Sequence, residues 1–220
     1  MTILQISDLH GNIEFIKKHS DAIQRADVVV LSGDITNFGD GVKAREIIES
    51  IIPLNDNIIA VPGNCDNKSV EQWLHEKDIS VHGRIKTKAG ISFYGMGGSL
   101  PCPGNTPNEH TEDQMKSILA GIDPIADGTF VCVVHQPPFG TKADLAGSGA
   151  HVGSKSIRTF LEKNQPALCL TGHIHESVCV DKLNSVTIVN PGPARDGHYA
   201  EIEISEQGVT AELTVPPKSS

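Results

Sequence analysis

Asp8 and His10 stand two residues apart where the apolar run Ile3-Leu4-Gln5-Ile6 gives way to Gly11. A carboxylate and an imidazole form a mixed oxygen and nitrogen donor set, half of what a transition metal requires. Alternation along a strand would place both side chains on one face, within reach of one point. Later stretches close apolar runs with a polar donor beside a turn residue: Ser32-Gly33-Asp34, Pro62-Gly63-Asn64-Cys65-Asp66, Val134-His135 and Thr171-Gly172-His173-Ile174-His175. Collected, the donors are Asp8, His10, Asp34, Asn64, His135, His173 and His175: two carboxylates, one amide and four imidazoles, more than one metal ion takes. Such a set suits two divalent ions about 3.5–4 Å apart that share a bridging carboxylate and a bridging water or hydroxide. Two such ions, two carboxylates and a hydroxide leave a charge of about +1, which attracts an anion. Phosphate is the obvious one, held by both metals while the hydroxide attacks in line. Imidazole mixed with carboxylate suits Mn, Fe, Zn, Ni or Co rather than Ca or Mg alone, with manganese favoured.

The elements that must position these donors are legible as alternating strands and helices. After the first strand, Asn12 to Gln24 carries Ile13, Ile16 and Ile23 at helical spacing, with Asn12 as N-cap. The run from Asp27 to Leu31 predicts a strand buried on both faces, followed by a helix over Val42 to Ile51. Asn57 to Val61 repeats the theme before a helix through Val70, Trp73 and Leu74. These β-then-α units predict parallel strands with ligand sites at their carboxyl ends. From Ser80 the parallel pattern is expected to stop: Val81 to Lys86 and Ile91 to Met96 read as a hairpin around Lys88-Ala89-Gly90. Helices are expected over Thr111 to Leu119 and Ser154 to Asn164, and strands over Thr129 to Val134, Ala167 to Leu170, Ser177 to Val180, Val186 to Val189, Tyr199 to Ile204 and Gly208 to Val215. Two Gly- and Pro-rich loops, Gly97 to His110 and Phe139 to Gly153, flank donor-bearing strand ends and read as rims of the site. The economical reading is one domain over residues 1–215, with two mixed sheets and a frayed tail at 216–220.

Bulk properties exclude several classes. At 220 residues, with 38% hydrophobic and 20% charged content, the sequence fits a globular domain, and no window approaches a membrane span. The chain starts directly in a strand without a basic leader, which makes the cytoplasm the expected address. The five cysteines are scattered, and Cys132, Cys169 and Cys179 sit inside apolar runs where reduced thiols pack as small hydrophobes. A net charge of −9 without a long basic cluster argues against an extended nucleic-acid surface. A small phosphate ester, nucleotide-like esters included, is the expected partner, with no membrane, and a homodimer is left open.

At these residues the chain resembles the calcineurin-like metallophosphoesterases, whose series Asp-x-His, Gly-Asp, Gly-Asn-His-Asp/Glu, His and Gly-His-x-His is matched almost entirely up to about residue 204. The small, cap-less prokaryotic branch is the nearest likeness, with Gly149-Ala150-His151-Val152-Gly153 and the Asn190-Pro191-Gly192-Pro193 turn also familiar. The resemblance implies an α/β fold, a four-layer α/β/β/α sandwich of two mixed sheets flanked by helices. It implies that Asp8, His10 and His175 serve one metal, that Asn64, His135 and His173 serve the other, and that Asp34 bridges them.

One position departs from the pattern. Where phosphomonoesterases of this kind carry a histidine that protonates the leaving group, this chain has Cys65. A thiol with a pKa near 8.5, lower beside a metal, is a poor proton donor. Phosphodiester hydrolysis is therefore expected ahead of monoester hydrolysis, with Cys65 more a spectator than a catalytic thiol. His151 is expected to come back over the metals and contact the phosphate or the leaving oxygen, the competing view being that it packs the loop. The expected catalytic set is Asp34, Asn64, Cys65 and His151. The other function class is a metal-site scaffold that has lost turnover and binds a protein partner; the presence of both His173 and His175 favours the enzyme. His19, His75, His82, His110 and His198 read as surface residues, and Trp73 as core.

Overall fold

The structure, a computed structural model, describes residues 1–121 and 130–217. Strand β1 (Thr2–Ile6) leads through α1 (Ile13–Lys18) and α2 (Ser20–Arg25) to β2 (Val28–Ser32), α3 (Gly41–Ile51), β3 (Ile58–Val61) and α4 (Lys68–Glu76). There follow β4 (Ile85–Lys88), β5 (Ile91–Met96), α5 (Glu112–Ala120), β6 (Phe130–Val134), α6 (Lys155–Asn164), β7 (Leu168–Leu170), β8 (Cys179–Leu183), β9 (Val186–Asn190), β10 (Tyr199–Ser205) and β11 (Gly208–Thr214). One sheet has the order β11-β10-β1-β2-β3 and the other β4-β5-β6-β7-β9-β8.

Side-chain alternation along the strands sorts the apolar residues into three packed layers. Leu4 and Ile6 of β1 and Val29 and Leu31 of β2 face outward onto Phe15, Ile23, Ile47, Ile48, Val70 and Leu74 of α1 to α4. Ile3, Val28, Val30 and Val61 face inward, against Phe93, Val131, Val133, Leu170 and Val189 of the second sheet. The outer face of that sheet, with Tyr94, Cys132, Val134, Cys169 and Ile188, is covered by Met115 and Leu119 of α5 and Ile157 and Leu161 of α6. This is the expected four-layer sandwich. Cys132 and Cys169 pack as the small hydrophobes expected, fully buried and in register on adjacent strands.

Several expectations need correction. The helix over Asn12 to Gln24 is broken at His19, whose ring leaves the helical path to stack 4.6 Å from Phe15 and 4.9 Å from Tyr199. The parallel pattern does not stop at Ser80: β5, β6, β7 and β9 are all parallel neighbours, with α5 and α6 as crossovers hidden behind long loops. Residues 80–82 form no hairpin strand but bridge Ala60 in one sheet and Gly95 in the other, so β4 begins at Ile85. His82 is not a surface residue; its side chain is 13% exposed and its Nδ1 accepts from Gly97 N at 2.9 Å. Trp73 is half-buried against the first layer rather than enclosed. Thr129, expected to start a strand, and the tail residues Lys218 to Ser220 lie outside the described residues.

Candidate metal centre

The donors lie just beyond the carboxyl ends of β1, β2, β3, β6 and β7, where the two sheets face each other. Asp8 and His10 do not share a strand face as expected, because β1 ends at Ile6. They converge because the loop after β1 continues beside the loop after β2: Asp8 N donates to the Gly33 carbonyl at 3.0 Å, His10 N to that of Asp34 at 2.9 Å and Gly11 N to that of Ile35 at 2.9 Å. Asp8, His10, Asp34 and His173 all adopt left-handed backbone, with φ of 54°, 46°, 49° and 70°. Each such non-glycine residue costs on the order of 1 kcal/mol, and a cluster of them marks a place where geometry is held against local preference.

Close approach of the loops depends on glycine. A Cβ at Gly63 would overlap the amide nitrogen and carboxylate of Asp34, and one at Gly172 would overlap the Ser7 hydroxyl and the Asp8 carboxylate. Neither glycine has positive φ, so these are gaps for neighbouring atoms rather than the turn signals they resemble in the sequence.

Asp8, His10 and His175 present ligand atoms that all lie within 4.8 Å of one another, and so do Asp8, Asp34 and His135. Asp34 stands between the groups, with its carboxylate 3.7 Å from His10 Nε2 and 3.5 Å from His135 Nε2. His135 Nδ1 lies 2.9 Å from the Ser32 carbonyl, which turns Nε2 inward to 2.9 Å from Asn64 Oδ1. His173 packs its ring 5.2 Å from that of His135, while its N–H donates to the Asp8 carboxylate at 3.1 Å. All seven expected donors are thus brought together. Cys65 joins them: its Sγ groups with His10 and Asp34 within the same 4.8 Å, and its N–H donates to Asp34 Oδ1 at 2.8 Å. His151 belongs to none of the close groups. It is exposed on the loop after β6, with Nδ1 2.7 Å from the fully buried Asp144.

The carboxylates hold their charge in spite of burial. Burial alone would raise Asp8, but the bond to His175 and the charge of His135 keep it well below the usual carboxylate range. Asp34 is likewise opposed by burial and lowered by His135. Burial would lower His135, yet Asp34 overrides it and raises the imidazole to about 9. His173 is lowered to about 4 by burial and by the neighbouring His135. The Cys65 thiol is pushed up by burial and by Asp34, while the lowering expected from the sequence concerns a thiol beside a bound metal.

Whether these residues fit metal ions is answered by His10. Both of its ring nitrogens are buried without a hydrogen-bond partner, although Asp8, Asp34 and His175 surround it. An unpartnered buried imidazole is costly, and a cation among imidazole and carboxylate donors satisfies it. The donor set therefore fits.

Other residues shape the site with little signal in the sequence. Ser7 Oγ donates to Asp8 Oδ2 at 2.6 Å. Asp66 caps no helix; its carboxylate accepts from Ile35 N, Thr36 N, Thr36 Oγ1 and Gly63 N and so locks the Asp34 loop to the Asn64 loop. Asn108 Nδ2 donates to the Gly63 carbonyl at 3.0 Å, tying the long loop after β5 beneath Asn64. Arg195 Nη2 approaches His175 Nδ1 to 3.3 Å. Asn12 caps α1, as expected, and its Nδ2 also donates to the Arg195 carbonyl at 2.9 Å.

A two-sheet sandwich that gathers imidazoles and carboxylates at its strand ends defines a class of fold with a site suited to metal ions. The chain belongs to the calcineurin-like phosphoesterase family, whose sequence profile matches residues 1–177. An uncharacterised protein of Methanocaldococcus jannaschii is 40% identical over 200 residues, covering 88% of each chain. Among solved structures, the protein TT1561 of Thermus thermophilus superimposes with a TM-score of 0.75 at 16% identity, over 96% of this chain and 97% of that one. A structure described as a novel archaeal phosphodiesterase superimposes with a TM-score of 0.56 at 15% identity, over 97% and 100%. At those identities the structural likenesses establish the fold. No helix among the described residues is long and apolar enough to cross a membrane.

Proposed function

We propose that this phosphoesterase is a dinuclear metal enzyme that prefers phosphodiesters, and the observation that carries the reading is the unpartnered, buried His10 between Asp8, His175 and Asp34. Asp8, His10 and His175 would hold one divalent ion, Asn64, His135 and His173 the other, and Asp34 would serve both. Bound there, two ions supply positive charge to a phosphoryl group and lower the pKa of water. The chain's own residues do the positioning. Ser7 and the His173 N–H fix the Asp8 carboxylate, the Ser32 carbonyl aims His135, and Asp66 holds the Asp34 and Asn64 loops in register. Mixed imidazole and carboxylate donors suit Mn, Fe, Zn, Ni or Co, and manganese is the ion favoured in this reading. The substrate is a small phosphate ester, nucleotide-like esters included. One domain through residue 215, a cytoplasmic address and the absence of an extended nucleic-acid surface complete the reading.

Preference for diesters follows from position 65. Beside bound metal ions a thiol would ionise and have no proton to give, so Cys65 would assist a basic leaving group poorly. Aryl esters and diesters with acidic leaving groups should therefore be hydrolysed faster than alkyl monoesters. Cys65→His should shift the preference toward monoesters by a few-fold to about a hundredfold, the range of general-acid contributions. Comparative kcat/KM across bis-nitrophenyl, cyclic nucleotide and sugar phosphate substrates, after metal reconstitution, checks this. A wild type that prefers a sugar phosphate would sink the argument.

His151 supplies the proton instead in this reading. Asp144 occupies its Nδ1 and leaves Nε2 free, and the loop is fastened next to two donors: Gln136 Nε2 donates to the Val152 carbonyl at 3.0 Å and Gly147 N to Glu176 Oε1 at 2.7 Å. His151→Ala should cut kcat on poor leaving groups far more than on nitrophenyl esters, with metal content unchanged. Equal losses on both would assign His151 to loop packing.

A further inference from the structure

Arg195 follows the Asn190-Pro191-Gly192-Pro193 turn, and its backbone is pinned to the rim of the donor cluster. Its N–H donates to the Asp8 carbonyl at 3.2 Å, and the preceding Ala194 N–H donates to the Ser7 carbonyl at 2.8 Å. Its own carbonyl accepts from Asn12 Nδ2 at 2.9 Å. The backbone at Arg195 is fixed while the side chain is 45% exposed, which leaves the guanidinium room to turn. Its carboxylate neighbour is the exposed Asp196, at 3.7 Å from Nε. Among the described residues no bidentate carboxylate pair commits the fork.

The guanidinium lies against a candidate ligand, with Nη2 3.3 Å from His175 Nδ1. A guanidinium offers donors and no acceptor, so this contact requires Nδ1 to present its lone pair. The ring proton then sits on Nε2, which faces Asp8 Oδ1 at 3.1 Å. Coordination through Nε2 reverses that arrangement: Nδ1 carries the N–H, two donors face each other, and Arg195 has to turn away. Its fork then points at the next anion in reach.

We propose that Arg195 is a substrate-recognition residue that leaves His175 when the centre is loaded and grips two unesterified oxygens of the substrate phosphate. The inference rests on the metal reading above and assigns the site to phosphate groups that offer a guanidinium a bidentate edge, which a neutral ester lacks.

Inorganic phosphate is the probe. Wild type, Arg195→Met and Arg195→Lys are reconstituted with manganese, metal stoichiometry is read by elemental analysis, and phosphate affinity by calorimetry on the same samples. Removing a charge-assisted pair should weaken phosphate binding by about tenfold to a hundredfold in Arg195→Met, with metal stoichiometry unchanged. Arg195→Lys, a point charge without the fork, should fall between the two and reads the same effect if the methionine variant does not fold. Equal phosphate affinity in the loaded wild type and variants overturns the inference alone. Loss of metal with unchanged phosphate affinity per loaded site also overturns it and leaves Arg195 as a positioning residue for His175. A wild type that takes up no metal overturns the metal reading and this inference with it.

Discussion

Asp34→Asn lowers turnover of the reconstituted enzyme by about three orders of magnitude while leaving the fold in place. The side chain is 2% exposed in residue terms and stands between His10 and His135, with an oxygen accepting the Cys65 N–H at 2.8 Å. Asparagine keeps the volume and an acceptor for that N–H, so the junction between the loops after β2 and β3 survives. What it removes is the negative charge at a position in reach of both His10 and His135. Without it the second ion binds weakly and the shared charge that activates water is gone. Steady-state rates on an aryl diester, elemental analysis and a thermal melt on one preparation check the result. A variant within tenfold of the wild type, or a wild type active with one ion or none per chain, would reject the bridging role.

Much of the centre was legible because its donors sit where short apolar runs end, a local pattern that needs no knowledge of the partner strands. The five stretches each announce themselves within about ten residues. Their convergence has a different cause from strand alternation: Asp8 and His10 meet through left-handed loop backbone paired with residues 33–35. Backbone of that kind is invisible in residues other than glycine. The second sheet was legible as strands but not as parallel, because the loop over residues 97–110 obscures the crossover to α5 and β7 is only three residues long. Ser7, Asn108, Asp144 and Arg195 were missed for a different reason. Asn108 and Arg195 act on residues distant in sequence, 45 positions away for Asn108 and Gly63, whereas Ser7 and Asp144 touch the nearby Asp8 and His151, contacts that a lone serine or aspartate does not announce. Of the histidines read as surface residues, His75 is exposed as expected, while His82 is enclosed by Gly97 and Glu71 from elements on either side of it.

Gly63→Ala should be among the most disruptive small substitutions at the site, comparable in effect to truncation of a core residue. Alanine is compatible with the backbone here, because Gly63 is not among the residues with positive φ. The difficulty is space: the added methyl would occupy the position of the Asp34 amide nitrogen and carboxylate. A flexible side chain could yield, but Asp34 is held in left-handed backbone, its carbonyl accepts from His10 N at 2.9 Å and its carboxylate from Cys65 N at 2.8 Å. Relief would require the loops after β2 and β3 to part, which breaks the hydrogen bonds from Ile35 N and Thr36 N to the Asp66 carboxylate at 3.0 and 2.8 Å and draws Asn64 away from His135. Overpacking of this severity costs about 3 kcal/mol or more, which for a chain of this size lowers the thermal midpoint by roughly 6–12 °C. Metal uptake should fall with it, because Asp34 and Asn64 both move. Thermal denaturation with and without manganese separates the two effects: the wild type should gain stability on adding the ion, and the variant should gain little. A variant that melts within about 2 °C of the wild type and is stabilised equally by manganese would show that the loops have room to spare, and the close-approach account of this glycine would be wrong.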